Sequence, residues 1–391
     1  MDQPTLSQAF NELLHWCRVR HFSGHDPFDA LNSRLFQATP LRNSRLGRLG
    51  WTQLNKRSPL NLRRLALVPE QKNSKGIALF ALAAVSNYRR LKTAEAENEA
   101  RDLVDELLGL QLSGYSGAAW GYNFDWQSRH FFVPKGTPTI VPTAFAARAL
   151  REAFEAFHDE RYLEVARSSC DFIRQDLNRT VESGPEVCFS YSPLDHTQIF
   201  NASLLAAETL ALVGSTTGEV DLCEVAVRAA RFVARKQQPY GSWAYGTDGN
   251  QAWVDNFHTA YVLRSLAAIT ECSAAADEEF RLALLGGFKF WRDSFFLADG
   301  WPKYYHDRLY PADAHAAATA IITLLELQEL DSGAAALAET IASWAIRNLR
   351  DREGFFYYQR RRFGIVKTQF MRWTQAWMLY ALARLLEEQG S

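Results

Sequence analysis

The segment WGYNFDWQSRH, running from Trp120, packs an acid, a cation, an amide and several aromatic rings into one short stretch. Flat rings stack on the faces of a pyranose and polar groups meet its hydroxyls, so this mixture suits a sugar. Trp120, Tyr122, Asn123, Trp126 and Arg129 are candidate binding residues there, and Asp125 is a candidate acid or base. A second stretch offers Trp243, Tyr245 and Asn256 for binding, with Asp255 and His258 for proton transfer. Elsewhere Tyr191 and His196, then Tyr304 and Tyr305, then Tyr358, Arg360 and Trp373 recur in similar settings. A histidine near neutral pKa or a tyrosine hydroxyl can exchange protons with a sugar carbon or oxygen. Asp125, His196, Asp255, His258 and Tyr305 are therefore the candidate catalytic set. A plainer reading stands beside this one, with the rings filling an interior and Asp255 capping a helix.

Charge narrows the choice of ligand. Residues 30–69 contain no Asp or Glu, yet carry Arg34, Arg42, Arg45, Arg48, Lys56, Arg57, Arg63 and Arg64. Near the other end lie Arg360, Arg361, Arg362, Lys367 and Arg372. Arginine grips carboxylates and phosphates through paired donors. The expected partners are accordingly an anionic saccharide, a nucleotide sugar or a lipid-linked sugar. The whole chain, with 43 Lys and Arg against 44 Asp and Glu, lacks the excess charge and the motifs expected of a nucleic-acid binder.

These residues need a scaffold, and the sequence repeats to provide one. Six aromatic-rich loops open at Trp51, Trp120, Phe189, Trp243, Trp301 and Phe355, about 54 to 69 residues apart. After each comes a segment apolar nearly all round, such as NSKGIALFALAAV from Asn73, NASLLAAETLALVG from Asn201 and AHAAATAIITLLEL from Ala314. Helices without a polar face belong in an interior. Between them lie amphipathic segments, for example RYLEVARSSCDFIRQDL from Arg161, whose polar stripe faces water. Inner helices are expected to start after Thr143, Asn201, Asp255 and Asp313 as caps. The pattern predicts an all-α (α/α)6 toroid, one domain over residues 1–391, with a long basic loop region at about 21–72. In a closed ring the sixth repeat lies beside the first, so the two basic stretches should converge.

QPYGSW, from Gln238, resembles the Q-x-x-G-x-W repeat of terpene cyclases, and the six-hairpin architecture this implies is shared by glycosidases, polysaccharide lyases and sugar epimerases. The strings GHDPFDALNSRLF from Gly24, NLRRLALVPEQKNSKGIALF from Asn61 and WVDNFHTAYVL from Trp253 resemble a bacterial family found beside surface-polysaccharide genes. That resemblance implies a carbohydrate context and proteins of polysaccharide assembly as possible partners.

Several chemistries are excluded. Neither the D-x-D-D acid nor the D-D-x-x-D magnesium site of terpene cyclases occurs. The five cysteines are scattered, without C-x-x-C spacing or a usefully placed His, so neither catalytic zinc nor a disulfide framework is expected. No cofactor is expected either. The start MDQPTLSQAF lacks an export signal and no run reaches the roughly 20 apolar residues of a bilayer span, so a cytoplasmic location is expected. The leading expectation is an enzyme using acid/base chemistry on an anionic sugar, by hydrolysis, elimination or epimerisation. A non-catalytic module binding a glycan or a glycosyltransferase is the alternative, and an isoprenoid-binding toroid a weaker one.

Overall fold

The computed structural model describes residues 5–128, 131–272 and 278–390. Six inner helices form a closed barrel: α4 (Ser74–Leu91), α6 (Ile140–Phe157), α8 (Phe200–Thr217), α10 (Asn256–Cys272), α12 (Ala314–Glu326) and α14 (Trp377–Gly390). Each packs against the next, and α14 packs against α4 to close the ring. Six outer helices cover them: α1 (Leu6–Val19) on α14, α5 (Ala94–Gly109) on α4, α7 (Glu160–Gln175) on α6, α9 (Val220–Ala234) on α8, α11 (Glu278–Phe295) on α10, and α13 (Ala334–Leu349) on α12. The chain is an (α/α)6 toroid whose first and last helices pair across the seam. No described helix is long and apolar enough to cross a membrane.

Composition explains which helix goes where. Ser74 to Asn87 of α4 and Ala314 to Leu325 of α12 are buried without a break, because alanine and leucine all round leave no face for water. In α7 only Tyr162, Ala166, Ser169, Cys170, Phe172 and Ile173 are buried, the stripe expected of an outer helix. Asn73 and Asp313 cap α4 and α12 by accepting backbone N–H groups, and the Asp255 carboxylate accepts the N–H of His258 in the first turn of α10. Two expected caps fall elsewhere. Thr143 lies in the first turn of α6, bonded to the backbone of Trp120, and Asn201 is the second residue of α8. An apolar first turn buried against its neighbours does not depend on a side-chain cap.

The segment expected as a basic loop at 21–72 holds α2 (Arg34–Gln37) and the thirteen-residue α3 (Arg45–Arg57), which Ser44 caps. Trp51 therefore sits within a helix rather than opening a loop. Its ring stacks on Phe36 at 5.5 Å and its indole N–H donates to Ala30 O. Start of α3 lies close against the turn before it, since a Cβ on Gly47 would come within 2.5 Å of Leu41 O. Four of the other five connections carry short strands, the largest group joining Ala312–Asp313, Gln359–Arg361 and Gly364–Val366. A π-helical turn, Met371–Ala376, leads into α14.

Halfway along the barrel, α6, α8, α10 and α12 present charges to one another. Arg264 grips Glu326 through two bonds of 2.5 and 2.7 Å, Arg148 bonds both Glu326 and Glu208, and Ser265 donates to Glu208. Arg148, Glu208 and Arg264 each lie eight residues into their helices, about 12 Å from the helix starts at 1.5 Å per residue. This network ties four of the six inner helices together below the end that receives the long connections.

Candidate active site

All six long connections meet at one end of the ring around a cavity of about 480 Å³. The inner helices supply its floor, each with at least one side chain: Lys75, Val141, Asn201, His258, His315 and, from the turn before α14, Arg372. Aromatic side chains make much of its wall, and Tyr122 stacks on Phe124 at 5.1 Å while Tyr245 stacks on Trp253 at 4.6 Å.

One side of the cavity holds an oriented imidazole. His258 Nδ1 lies 2.7 Å from Asp255 Oδ2, and the same carboxylate accepts the backbone N–H of His258 and the indole N–H of Trp253. Asp255 is buried, so its charge falls on these partners rather than on water. A carboxylate on Nδ1 holds the hydrogen there and leaves the Nε2 lone pair for a ligand. His258 is part-exposed to the cavity, and Tyr245 packs 4.6 Å from its ring.

A chain of buried polar groups lies beside it. Lys75 Nζ donates to the Tyr261 hydroxyl at 3.3 Å, which lies 2.9 Å from His315 Nε2. Burial pushes the Lys75 ammonium well below its usual range, helped by Arg372, and its Nζ lies 4.3 Å from the Phe145 ring centre. Burial also pulls His315 well down, with Lys75 adding to the effect, and holds the Tyr261 phenol well up. With Lys75 donating to Tyr261 and Tyr261 to Nε2, His315 carries its hydrogen on Nδ1. The two histidines flank Phe257, whose ring centre is 4.0 Å from His258 and 4.6 Å from His315.

The basic stretches converge as a closed ring requires. Arg361 donates to Arg57 O across the seam, and Lys56, Arg57 and Arg361 line one side of the mouth. Lys56 lies over Phe28 at 4.0 Å, and burial there pulls its ammonium down to about 8. Deeper, Arg372 forms a two-bond pair with Asp26 at 2.5 and 2.8 Å, both side chains buried, and its guanidinium lies 5.2 Å from the Tyr122 ring.

Of the sequence candidates, Asp255, His258, Tyr305, Tyr122, Trp126, Tyr191, Tyr245, Tyr304, Tyr358 and Trp373 line this cavity. Others do not. Asp125 accepts the backbone N–H of Lys135 and steadies the turn before the short strand Trp126–Gln127, both of whose residues line the cavity while Asp125 does not. His196 is exposed away from the cavity. Trp120 and Trp243 are core residues whose indoles donate to Leu107 O and Val233 O. Asn256 ties Trp291 to the Lys303 carbonyl, Asn123 accepts from Asn73, and Arg360 reaches Asn348. Arg129 lies outside the described residues. Sequence reasoning missed Lys75 and Tyr261, although a lysine in the first turn of an otherwise apolar inner helix was a visible signal.

Asp313, beneath the Tyr358 side, is fully buried and burial pushes its carboxyl up to about 7. One oxygen accepts from Ala316 N–H, and that bond and the nearby Trp373 indole offset only part of the burial. An unfolded Asp releases its proton near 3.9. The folded chain keeps this proton while the unfolded chain loses it, so stability is full below about pH 4 and falls as pH rises towards 7. In Asp313→Asn, which retains the cap, melting temperatures at pH 4.5 and pH 7.5 should differ less than in the parent. An identical drop in both proteins would count against a protonated Asp313.

Among the described residues no group of three His, Cys, Asp or Glu is placed to hold a metal ion. A scan of the sequence against protein-family models matches none, and no curated protein matches it. Solved structures do match the fold. A cellobiose 2-epimerase from Bacillus thermoamylovorans superposes with a TM-score of 0.65 at 13% identity, covering 81% of this chain and 88% of that one. An unsaturated glucuronyl hydrolase specific for heparin gives 0.58 at 15% identity, covering 81% and 86%. A protein from Listeria innocua gives 0.65 at 9% identity, covering 99% and 98%. At such identities the likeness shows the toroid, and the reaction has to be argued from the side chains.

Proposed function

We propose that the chain is a carbohydrate-active enzyme that moves a proton at a sugar carbon beside a carbonyl, as an epimerase or isomerase does. The observation that carries this reading is the pair of proton-handling sites facing one cavity. His258, oriented by Asp255, offers a base, and the Lys75–Tyr261–His315 chain, whose tyrosine ring lies 6.3 Å from the His258 ring, offers hydrogen-bond donors from Lys75 and His315 to an oxygen beside it. A base beside the C–H bond and donors at the developing enolate oxygen are what such a step needs.

Glycoside hydrolysis is the poorer fit. It uses two carboxylates flanking the bond, and among the described residues Asp255 is the only carboxylate lining the cavity. That one is already engaged by His258 and Trp253. The superposition on an epimerase supports the preference, and the superposition on a glucuronyl hydrolase keeps an acidic sugar in view.

The substrate of this reading is an anionic sugar, with Lys56, Arg57 and Arg361 at the mouth meeting a carboxylate or phosphate. A place in bacterial surface-polysaccharide synthesis, inside the cell and beside assembly proteins, extends the proposal on the strength of the sequence resemblance.

The test is solvent exchange. Neutral and uronate- or phosphate-bearing mono- and disaccharides incubated in D2O should include at least one that gains deuterium at the carbon next to its carbonyl, seen by NMR. Release of monosaccharide with no carbon-bound deuterium would establish hydrolysis instead. An unsaturated product, in which that carbon has given up its hydrogen and joined a double bond as the neighbouring leaving group departs, would mean elimination.

A further inference from the structure

The insertion between α1 and α4 has an outer surface that the cavity does not explain. Within residues 34–67, Leu35, Leu41, Leu46, Leu54, Leu60, Leu65 and Leu67 are all exposed, Leu46 by 79% and Leu65 by 77%. These leucines are interspersed with exposed Arg34, Arg42, Arg45, Arg57 and Arg64, and no acidic residue occurs from 30 to 69. Leucine so far out of the core costs solubility, and so many within about thirty residues point to a surface that is covered by something.

Helix α3 shows the division of labour. Leu49, Thr52, Gln53, Lys56 and Arg57 line the cavity, while Leu46, Gly50 and Leu54 recur at four-residue spacing on an exposed face. Neighbouring pieces extend that surface. Leu41 lies against Gly47 at the start of α3, and Arg34 N–H donates to Leu67 O, bringing the far end of the insertion beside Leu35. Across the seam, the hairpin of Gln359–Arg361 and Gly364–Val366 is tied on by the bond from Arg361 to Arg57 O. Its tip presents Phe363, 93% exposed, next to Arg362.

We propose that this basic, leucine-studded surface beside the cavity mouth docks on an anionic lipid membrane. Apolar side chains enter the headgroup boundary while arginine and lysine meet the phosphates, the arrangement of an interfacial rather than a spanning element. Each cation close to such a surface is worth roughly a fivefold gain in partitioning, so several together hold a protein that shallow leucines alone would not. An acidic protein partner would satisfy the charge. Scattered single leucines with a projecting phenylalanine fit a fluid apolar layer better than a matched protein groove. Docking there sets the mouth, with Lys56 and Arg361, against the headgroups.

The experiment is co-sedimentation of the full chain with vesicles. Vesicles containing phosphatidylglycerol should carry it down in 0.1 M salt, pure phosphatidylcholine vesicles should not, and 1 M salt should release most of it. A variant with Leu46→Ser, Leu60→Ser, Leu65→Ser and Phe363→Ser changes only exposed side chains. It should melt as the parent does, yet partition at least tenfold less. Failure of the parent to bind the anionic vesicles overturns the proposal, as does undiminished binding by a folded variant. Retention on an acidic polypeptide column without vesicle binding also overturns it, in favour of a protein partner. None of these outcomes depends on which sugar reaction the cavity performs.

Discussion

His258→Asn is expected to lower turnover by about a thousandfold while leaving substrate affinity within a few-fold of the parent. The estimate comes from the size of general-base contributions, roughly 10² to 10⁴. The substitution keeps a polar group of similar reach beside Asp255, so the first turn of α10 retains its cap from the Asp255 carboxylate. The Nε2 lone pair is lost, together with the ring that packs on Tyr245 and Phe257. Deuterium exchange at the sugar carbon should disappear with turnover, because both pass through the same proton abstraction. If exchange persisted at the parent rate, His258 would be a packing residue and the base would have to be sought along the Lys75–Tyr261–His315 chain.

Arg372→Met should be the most destabilising single change near the cavity. Arg372 and Asp26 are both buried and joined by two hydrogen bonds, one partner from the turn before α14 and the other from the segment after α1. Removing the guanidinium leaves a carboxylate with no counter-charge, at a cost of about 3–5 kcal/mol. Denaturant midpoints would report the loss. Asp26→Asn combined with Arg372→Met removes the stranded charge as well, so the double variant should recover much of the deficit. Single variants within about 1 kcal/mol of the parent would show that the pair is not what fastens the insertion to the last inner helix.

How much of this was legible from residue order differs between scaffold and site. The toroid was legible because burial is written into composition: α4 and α12 have no polar face, and α7 has a clean one. The convergence of Arg57 and Arg361 was also readable, since a ring must bring its ends together. The site was read less well, for a reason of geometry. Periodicity tells which face of a helix is buried but not which residues in an irregular loop turn inward. Asp125 and Trp126 are adjacent, equally suited to a sugar, and only Trp126 points into the cavity. Trp120 and Trp243 went to the core because an indole N–H that can reach a helix carbonyl is comfortable there. Tyr261 went unread because, one turn beyond His258 in a buried helix, it looks like any other core ring. Its role depends on Lys75, 186 positions away in sequence.

The arginine–glutamate lattice of Arg148, Glu208, Arg264 and Glu326 has a consequence for traffic. It joins four of the six inner helices, and on α10 it lies about two helical turns beyond His258, deeper in the barrel than the cavity floor. A polymer threaded along the barrel axis would have to part these ion pairs. On the proposed reading, a sugar reaches His258 most directly from the end that gathers the long connections, end on rather than at mid-chain, and product leaving by the same end competes with the next molecule entering.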